Sequence, residues 1–165
     1  MKRGPGSNTL RAKVEQASSG GTRVTLSGAI DESSDLDGVF AKVTGDMVIN
    51  MKDVERVNSM GVHMWIPVMA RLSAKNRVVI EEISYGFVFN ANAVANLFGA
   101  ARVVSCAAPY YCPSCKDHVM VKVTLDEVNA SSGGAPAKRC AKCAAPMDFD
   151  ELEGYFSFFK TSSAA

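Results

Sequence analysis

Histidine is scarce in this chain and neither sign of charge dominates it: two histidines accompany 18 basic and 17 acidic side chains, a net charge of +1. Such a balance supplies no long-range pull toward nucleic acid or an anionic membrane, so either partner would need a local patch. His63 and His118 stand beside no convincing nucleophile and acid, which leaves a hydrolase or transferase site poorly provided for. Neither common glycine-rich phosphate loop occurs. Long apolar runs are missing too. The most apolar helical stretch, residues 60–72, contains His63 and Pro67 and is too short to span a bilayer. The first residues are basic but lead into no apolar segment, unlike a secretory signal. The expectation is a cytoplasmic, non-enzymatic protein, without solenoid repeats.

What is present is globular in proportion, with 47% hydrophobic and 21% charged residues, so most of the chain should fold. Leu10, Ala12 and Val14 alternate with Arg11, Lys13 and Glu15, the period of a half-buried strand. Turn residues fill positions 18–21, and Val24 and Leu26 then alternate with Arg23, Thr25 and Ser27, which predicts an antiparallel hairpin. Beyond Gly28 the period changes. Leu36, Val39, Phe40 and Val43 share one helical face, behind candidate caps Ser33 and Ser34, in a helix expected to end near Gly45. Residues 47–51 are a nearly continuous apolar run, suited to a strand covered on both faces.

Val62, Trp65, Ile66, Met69 and Leu72 mark the inner face of a second helix. Pro67 interrupts it, removing a backbone donor at a cost of about 3 kcal/mol, so a kink or restart is expected there. A strand over residues 77–83 follows, then a short helix carrying Ala93, Val94, Leu97 and Phe98 that stops at Gly99. Val103, Val104 and Cys106 are assigned to a last strand, with Cys106 packing as a small hydrophobe. This order predicts an α/β fold, a mixed sheet with helices over at least one face.

Beyond Ala107 the composition shifts abruptly. Pro109, Tyr110 and Tyr111 lead into a cysteine pair, Val119, Val121, Val123 and Leu125 alternate as a strand, and residues 130–137 form a small-residue loop before a second pair. A boundary near residue 108 divides the chain into an α/β domain over 9–107 and a small β-rich unit over 108–162, with flexible ends at 1–8 and 163–165.

The two pairs are Cys112-Pro113-Ser114-Cys115 and Cys140-Ala141-Lys142-Cys143. Two intervening residues let both sulfurs of a tight turn face one ion, and two such turns close a tetrahedral shell of four thiolates. The expected cofactor is one Zn2+ in a zinc ribbon, structural because four cysteines leave no open position. Disulfides suit an exported chain, and a C-x2-C bridge closes too small a loop to stabilise much. A thioredoxin-like redox pair would stand alone at a helix start. His118 could replace one thiolate but reads as an exposed neighbour of a full shell.

Residues 10–106 resemble a STAS domain, the module shared by bacterial anti-sigma factor antagonists and the cytoplasmic tails of sulfate transporters. The likeness lies in the element order and in Met47-Val48-Ile49-Asn50-Met51-Lys52-Asp53-Val54, followed by Val57-Asn58-Ser59-Met60-Gly61-Val62. Family members place Asp-Ser-Ser/Thr-Gly at the start of a helix, where a partner kinase phosphorylates a hydroxyl next to the glycine. A phosphate there meets free N–H groups and the favourable end of the helix dipole. In this chain Met60 precedes the glycine and Asn58 takes the aspartate position, so only Ser59 and Gly61 match. The resemblance therefore implies a docking surface at Asn58, Ser59, Met60 and Gly61 with a degenerate switch; Ser59 keeps the motif's single hydroxyl, and Asn58 or Ser59 can simply cap the helix. An anti-sigma factor or kinase-like regulator is the implied protein partner.

Nucleic-acid binding through the ribbon is the competing reading. Lys116, Lys122, Lys138, Arg139, Lys142 and Lys160 would be its basic set, with Tyr110, Tyr111 or Phe158 for stacking. Seven acidic residues lie in the same segment against those six, which leaves Lys138, Arg139 and Lys142 as the one basic patch. Tyr155, Phe156, Phe158 and Phe159 are expected to pack on the ribbon or dock it to the first domain.

Overall fold

The computed structural model describes residues 9–161 apart from residue 19; residues 1–8, 19 and 162–165 lie outside the described residues, and with them both ends expected to be flexible, 1–8 and 163–165. A five-stranded mixed sheet is built from β1 (Arg11–Gln16), β2 (Thr22–Ile30), β3 (Met47–Val57), β4 (Val78–Glu81) and β5 (Arg102–Val103), in that spatial order. β1 is antiparallel to β2, and β2 to β5 run parallel. The connections carry α1 (Leu36–Phe40), α2 (Ser59–Lys75) and α3 (Tyr85–Ala93). A second, antiparallel sheet has the order β7-β6-β9-β8, from β6 (Ser105–Cys112), β7 (Asp117–Thr124), β8 (Lys138–Arg139) and β9 (Pro146–Phe149). Two short helices, α4 (Leu125–Ala130) and α5 (Phe158–Thr161), complete it.

The hairpin forms in the expected register, Val14 opposite Val24. β1, however, is exposed along its whole length, with Val14 44% exposed. It is the edge strand, and its alternating pattern faces no partner layer. α1 is a single turn shorter than its pattern suggested. Asp35, not a serine, caps it by accepting from Gly38 N at 2.9 Å, while Ser34 is buried and donates to Ala29 O. Val43 is buried from the turn that follows. β3 runs six residues past its apolar segment because β2 keeps pairing with it as far as Val57.

α2 continues through Pro67 as one helix. Pro67 and His63, whose carbonyl the ring deprives of a donor, both lie on the exposed face, where water can satisfy that carbonyl. The buried face is Val62, Trp65, Val68, Met69 and Leu72, so Val68 takes the place expected of Ile66. Trp65 meets Phe40 and Phe87 edge-on at 6.5 and 5.5 Å between ring centres. α3 lies upstream of its expected position: it ends at Ala93, and Leu97 and Phe98 reach the core from turns closed by Gly99 at φ +57°.

Cys106 belongs to β6, in the second sheet, rather than to the last strand of the first. The expected boundary at 107/108 thus falls within a strand. Ile83 bridges Cys106, and Ala107 N donates to Ile83 O at 2.8 Å, so the two sheets are stitched at this point. One continuous core spans both. The C-terminal aromatics dock on α3: Tyr155 stacks on Tyr85 at 6.3 Å, and Asn92 bonds both Tyr155 O and Phe158 N. Thr124 and Glu127 form a reciprocal capping box on α4, a helix hidden in what reads as the end of a strand and a loop.

Candidate metal centre

Each cysteine pair sits on the tip of a hairpin. β6 ends on Cys112 and the chain turns through Cys115 to enter β7 at Asp117; β8 leads into Cys140, and the chain turns through Cys143 to reach β9. In the first turn Cys115 N donates to Cys112 Sγ at 3.4 Å, and in the second Lys142 N donates to Cys140 Sγ at 3.4 Å. Lys116 and Ala144, each just after the second cysteine of its pair, are left-handed at φ 54° and 59°. The two turns are one device used twice. β6 and β9 pair antiparallel, Tyr110 opposite Phe149 and Tyr111 opposite Asp148, and this brings the tips together.

The four sulfurs converge: all lie within 4.8 Å of one another, with Cys112 Sγ 3.6 Å from Cys143 Sγ and Cys115 Sγ 3.8 Å from Cys140 Sγ. Cys112 and Cys140 are buried, Cys115 is half-buried and Cys143 is exposed. The set can hold one metal ion. Protons are shared unevenly among the sulfurs. The Ala145 N–H, aided by Cys115, draws the Cys143 thiol down to about 6, and the Lys142 N–H lowers Cys140. Cys115, hydrogen-bonded to Cys143 and then Cys140, is pushed up to about 12. Crowded sulfurs of this kind are short of positive charge, which a divalent cation supplies while displacing the remaining protons.

The surrounding charges are largely committed. Lys142 Nζ lies 2.5 Å from Asp117, Lys138 Nζ 2.5 Å from Glu127, and Arg139 donates to Ala144 O. His118 is no part of the cluster; it meets Asp150 at 2.8 Å and packs its ring on Tyr111. Tyr110, named above for stacking on bases, is buried and donates to Pro136 O at 2.7 Å, and Phe158 is buried in the core. Neither ring can reach a nucleotide. Cys106 is buried, and desolvation pushes its thiol up to about 12, which suits packing and not attack.

No protein-family model, curated protein or solved structure matches the chain.

The other predicted surface, at the start of α2, is rigidly built. Asn58 is the cap: its Oδ1 accepts from Gly61 N at 2.8 Å, its Nδ2 donates to Glu32 at 2.7 Å, and its backbone N–H donates to Ile30 O. That hydrogen bond from Asn58 holds Glu32 below the usual carboxylate range, and the Ser33 hydroxyl does the same for Asp31. Gly61 lies so close to β2 that a Cβ there would come within 2.1 Å of Ile30 O. Ser59 and Met60 are left exposed, Met60 by 51%. Among the described residues no helix is long and apolar enough to cross a membrane.

Proposed function

We propose that this chain is a cytoplasmic, non-enzymatic interaction module of bacterial signalling, in which a STAS-like α/β unit docks a protein partner and a structural zinc ribbon braces it. Zinc is supported by the sulfur geometry. A tetrahedron with zinc–sulfur bonds of about 2.3 Å has edges of about 3.8 Å, close to the 3.6 and 3.8 Å separations here. Four thiolates fill the shell, so the ion binds no substrate and its work is to hold two hairpin tips that have little core of their own.

The observation that carries the docking reading is the start of α2. A large apolar side chain, Met60, is held out to solvent on a helix end pinned by the Asn58 cap and the Gly61 contact, and rigid exposed anchors are what protein interfaces use. With Met60 and Asn58 in the motif, the surface works without the family's phosphorylation cycle. Capture of partners from the native host with the full chain, and with Met60→Asp, tests this. Specific retention of a protein by the parent and its loss in the variant, at unchanged metal content, is expected; identical capture by both would refute it.

A further inference from the structure

The geometry points to a second copy of this chain as the partner of β1: two copies join edge to edge, β1 antiparallel to β1 about a two-fold axis, with Val14 opposite Val14. The two five-stranded sheets then become one. β1 closes one side of its sheet. All six of its residues are exposed, and no described strand pairs with its outer edge. A bare edge of this kind is a template for another strand, and like edges meeting about a two-fold axis make the self-complementary contact of a symmetric dimer.

Hydrogen-bond parity fixes which groups the edge offers. Along an antiparallel pair, residues that exchange hydrogen bonds alternate with residues whose N–H and C=O point away. Ala17 N donates to Gly21 O at 2.7 Å, one step beyond the Gln16–Thr22 pair, so the odd-numbered residues of β1 bond to β2. Thr22 N accordingly turns away from Gln16 and donates to Asp46 O at 3.0 Å. Ala12, Val14 and Gln16 therefore direct their backbone donors and acceptors to the open edge. A symmetric antiparallel pairing must set even-numbered residues opposite even-numbered ones, which leaves few registers.

Charge selects among them. With Val14 opposite Val14, Ala12 meets Gln16, and Lys13 of each copy meets Glu15 of the other. Centring on Lys13 instead pairs Arg11 with Glu15 but sets Lys13 against Lys13, and centring on Glu15 sets two acids together. Opposite charges across a strand pair favour it and like charges oppose it. Lys13 and Glu15 already meet along their own strand at 2.8 Å, so the Val14 register closes four charges of alternating sign. On the other face Val14 is 44% exposed although Val24, directly beside it, is fully buried; its counterpart would cover it. A lysine on an edge strand ordinarily repels other strands, but the acid two residues on makes this edge complementary to itself. β7, the other long edge, is not. Its Asp117 and Lys122 lie an odd number of residues apart, so self-pairing never opposes them, and each is engaged elsewhere, Asp117 by Lys142 and the Lys122 carbonyl by Lys138.

Sedimentation equilibrium of the full zinc-loaded chain tests the proposal. A contact of one strand from each side is small and therefore weak, so the series runs up to about 0.5 mM protein, where the parent should dimerise. Lys13→Glu and Glu15→Lys, each alone, set like charges opposite one another twice and should weaken the dimer about tenfold or more. An equal mixture of those two variants should associate again, because every acid then meets a base across the seam. The double variant Lys13→Glu with Glu15→Lys should dimerise like the parent, whereas the Lys13-centred register would leave it with like charges only. Val14→Pro removes an N–H directed at the partner and not at β2, and should abolish the dimer while the hairpin stays; the charge variants decide should it fold poorly. A parent monomeric throughout, single variants that dimerise as the parent does, or a mixture or double variant that stays monomeric would each overturn it.

Discussion

Replacing Gly61 by alanine should destabilise the protein, against the ordinary rule for helices. In an exposed helix interior alanine is favoured over glycine by about 1 kcal/mol. Here the new Cβ would stand 2.1 Å from Ile30 O and 2.6 Å from its carbonyl carbon. Both atoms are backbone, in the last residue of a central strand, and neither can rotate away. The start of α2 must lift instead. Lifting it strains the core contact of Val62 and stretches the bonds from Gly61 N to Asn58 Oδ1 and from Asn58 N to Ile30 O. Overpacking of this kind costs about 1–3 kcal/mol and a weakened cap about 1 kcal/mol. After the helix-propensity gain, a net loss of about 1–3 kcal/mol remains, a fall of roughly 2–12 °C in melting temperature for a chain of this size. Urea unfolding followed by tryptophan fluorescence reads it directly, since the single Trp65 packs one turn further along the same helix. An equal or higher midpoint for Gly61→Ala would show that α2 does not press on β2 as described.

Three further outcomes follow from the ribbon. Ala144→Gly should make the metal harder to extract with a chelator, because the residue sits at φ 59°, where a Cβ costs about 1–2 kcal/mol; faster extraction than from the parent would contradict the turn geometry. Thr124→Ala removes one half of the capping box on α4 and should cost about 1 kcal/mol in denaturant titration, with no effect on metal content. Acidification should release the ion. The Cys143 thiol is depressed in the folded chain to about 6, so the stability it contributes is fully present above its ordinary value and is lost as pH falls through about 6. Protons compete with the metal in the same direction. Zinc release followed with a chromogenic chelator should therefore rise on acidification, and release indifferent to pH would count against thiolate ligation.

Much of the architecture could be read from side-chain periods. The β1–β2 hairpin, the core face of α2 and the convergence of two C-x2-C turns all rest on local patterns, and local patterns survive folding. The failures have physical causes. β1 carries a half-buried pattern but ends at a sheet edge, a fact about neighbours that no strand records in itself. Cys106 continues an apolar stretch, and only the bridge to Ile83 reveals that the chain has already changed sheets. α4 is short and polar, so its one sequence signal is the Thr124-x-x-Glu127 spacing. Tyr110 and Phe158 look like stacking residues until burial is known.

The shared metal shell of Cys112, Cys115, Cys140 and Cys143 is tested most directly by X-ray absorption at the zinc edge on the full chain purified in reducing buffer. One zinc per chain with four sulfur neighbours at about 2.3 Å is the predicted result. Absence of zinc, or a first shell containing nitrogen or oxygen, would contradict it.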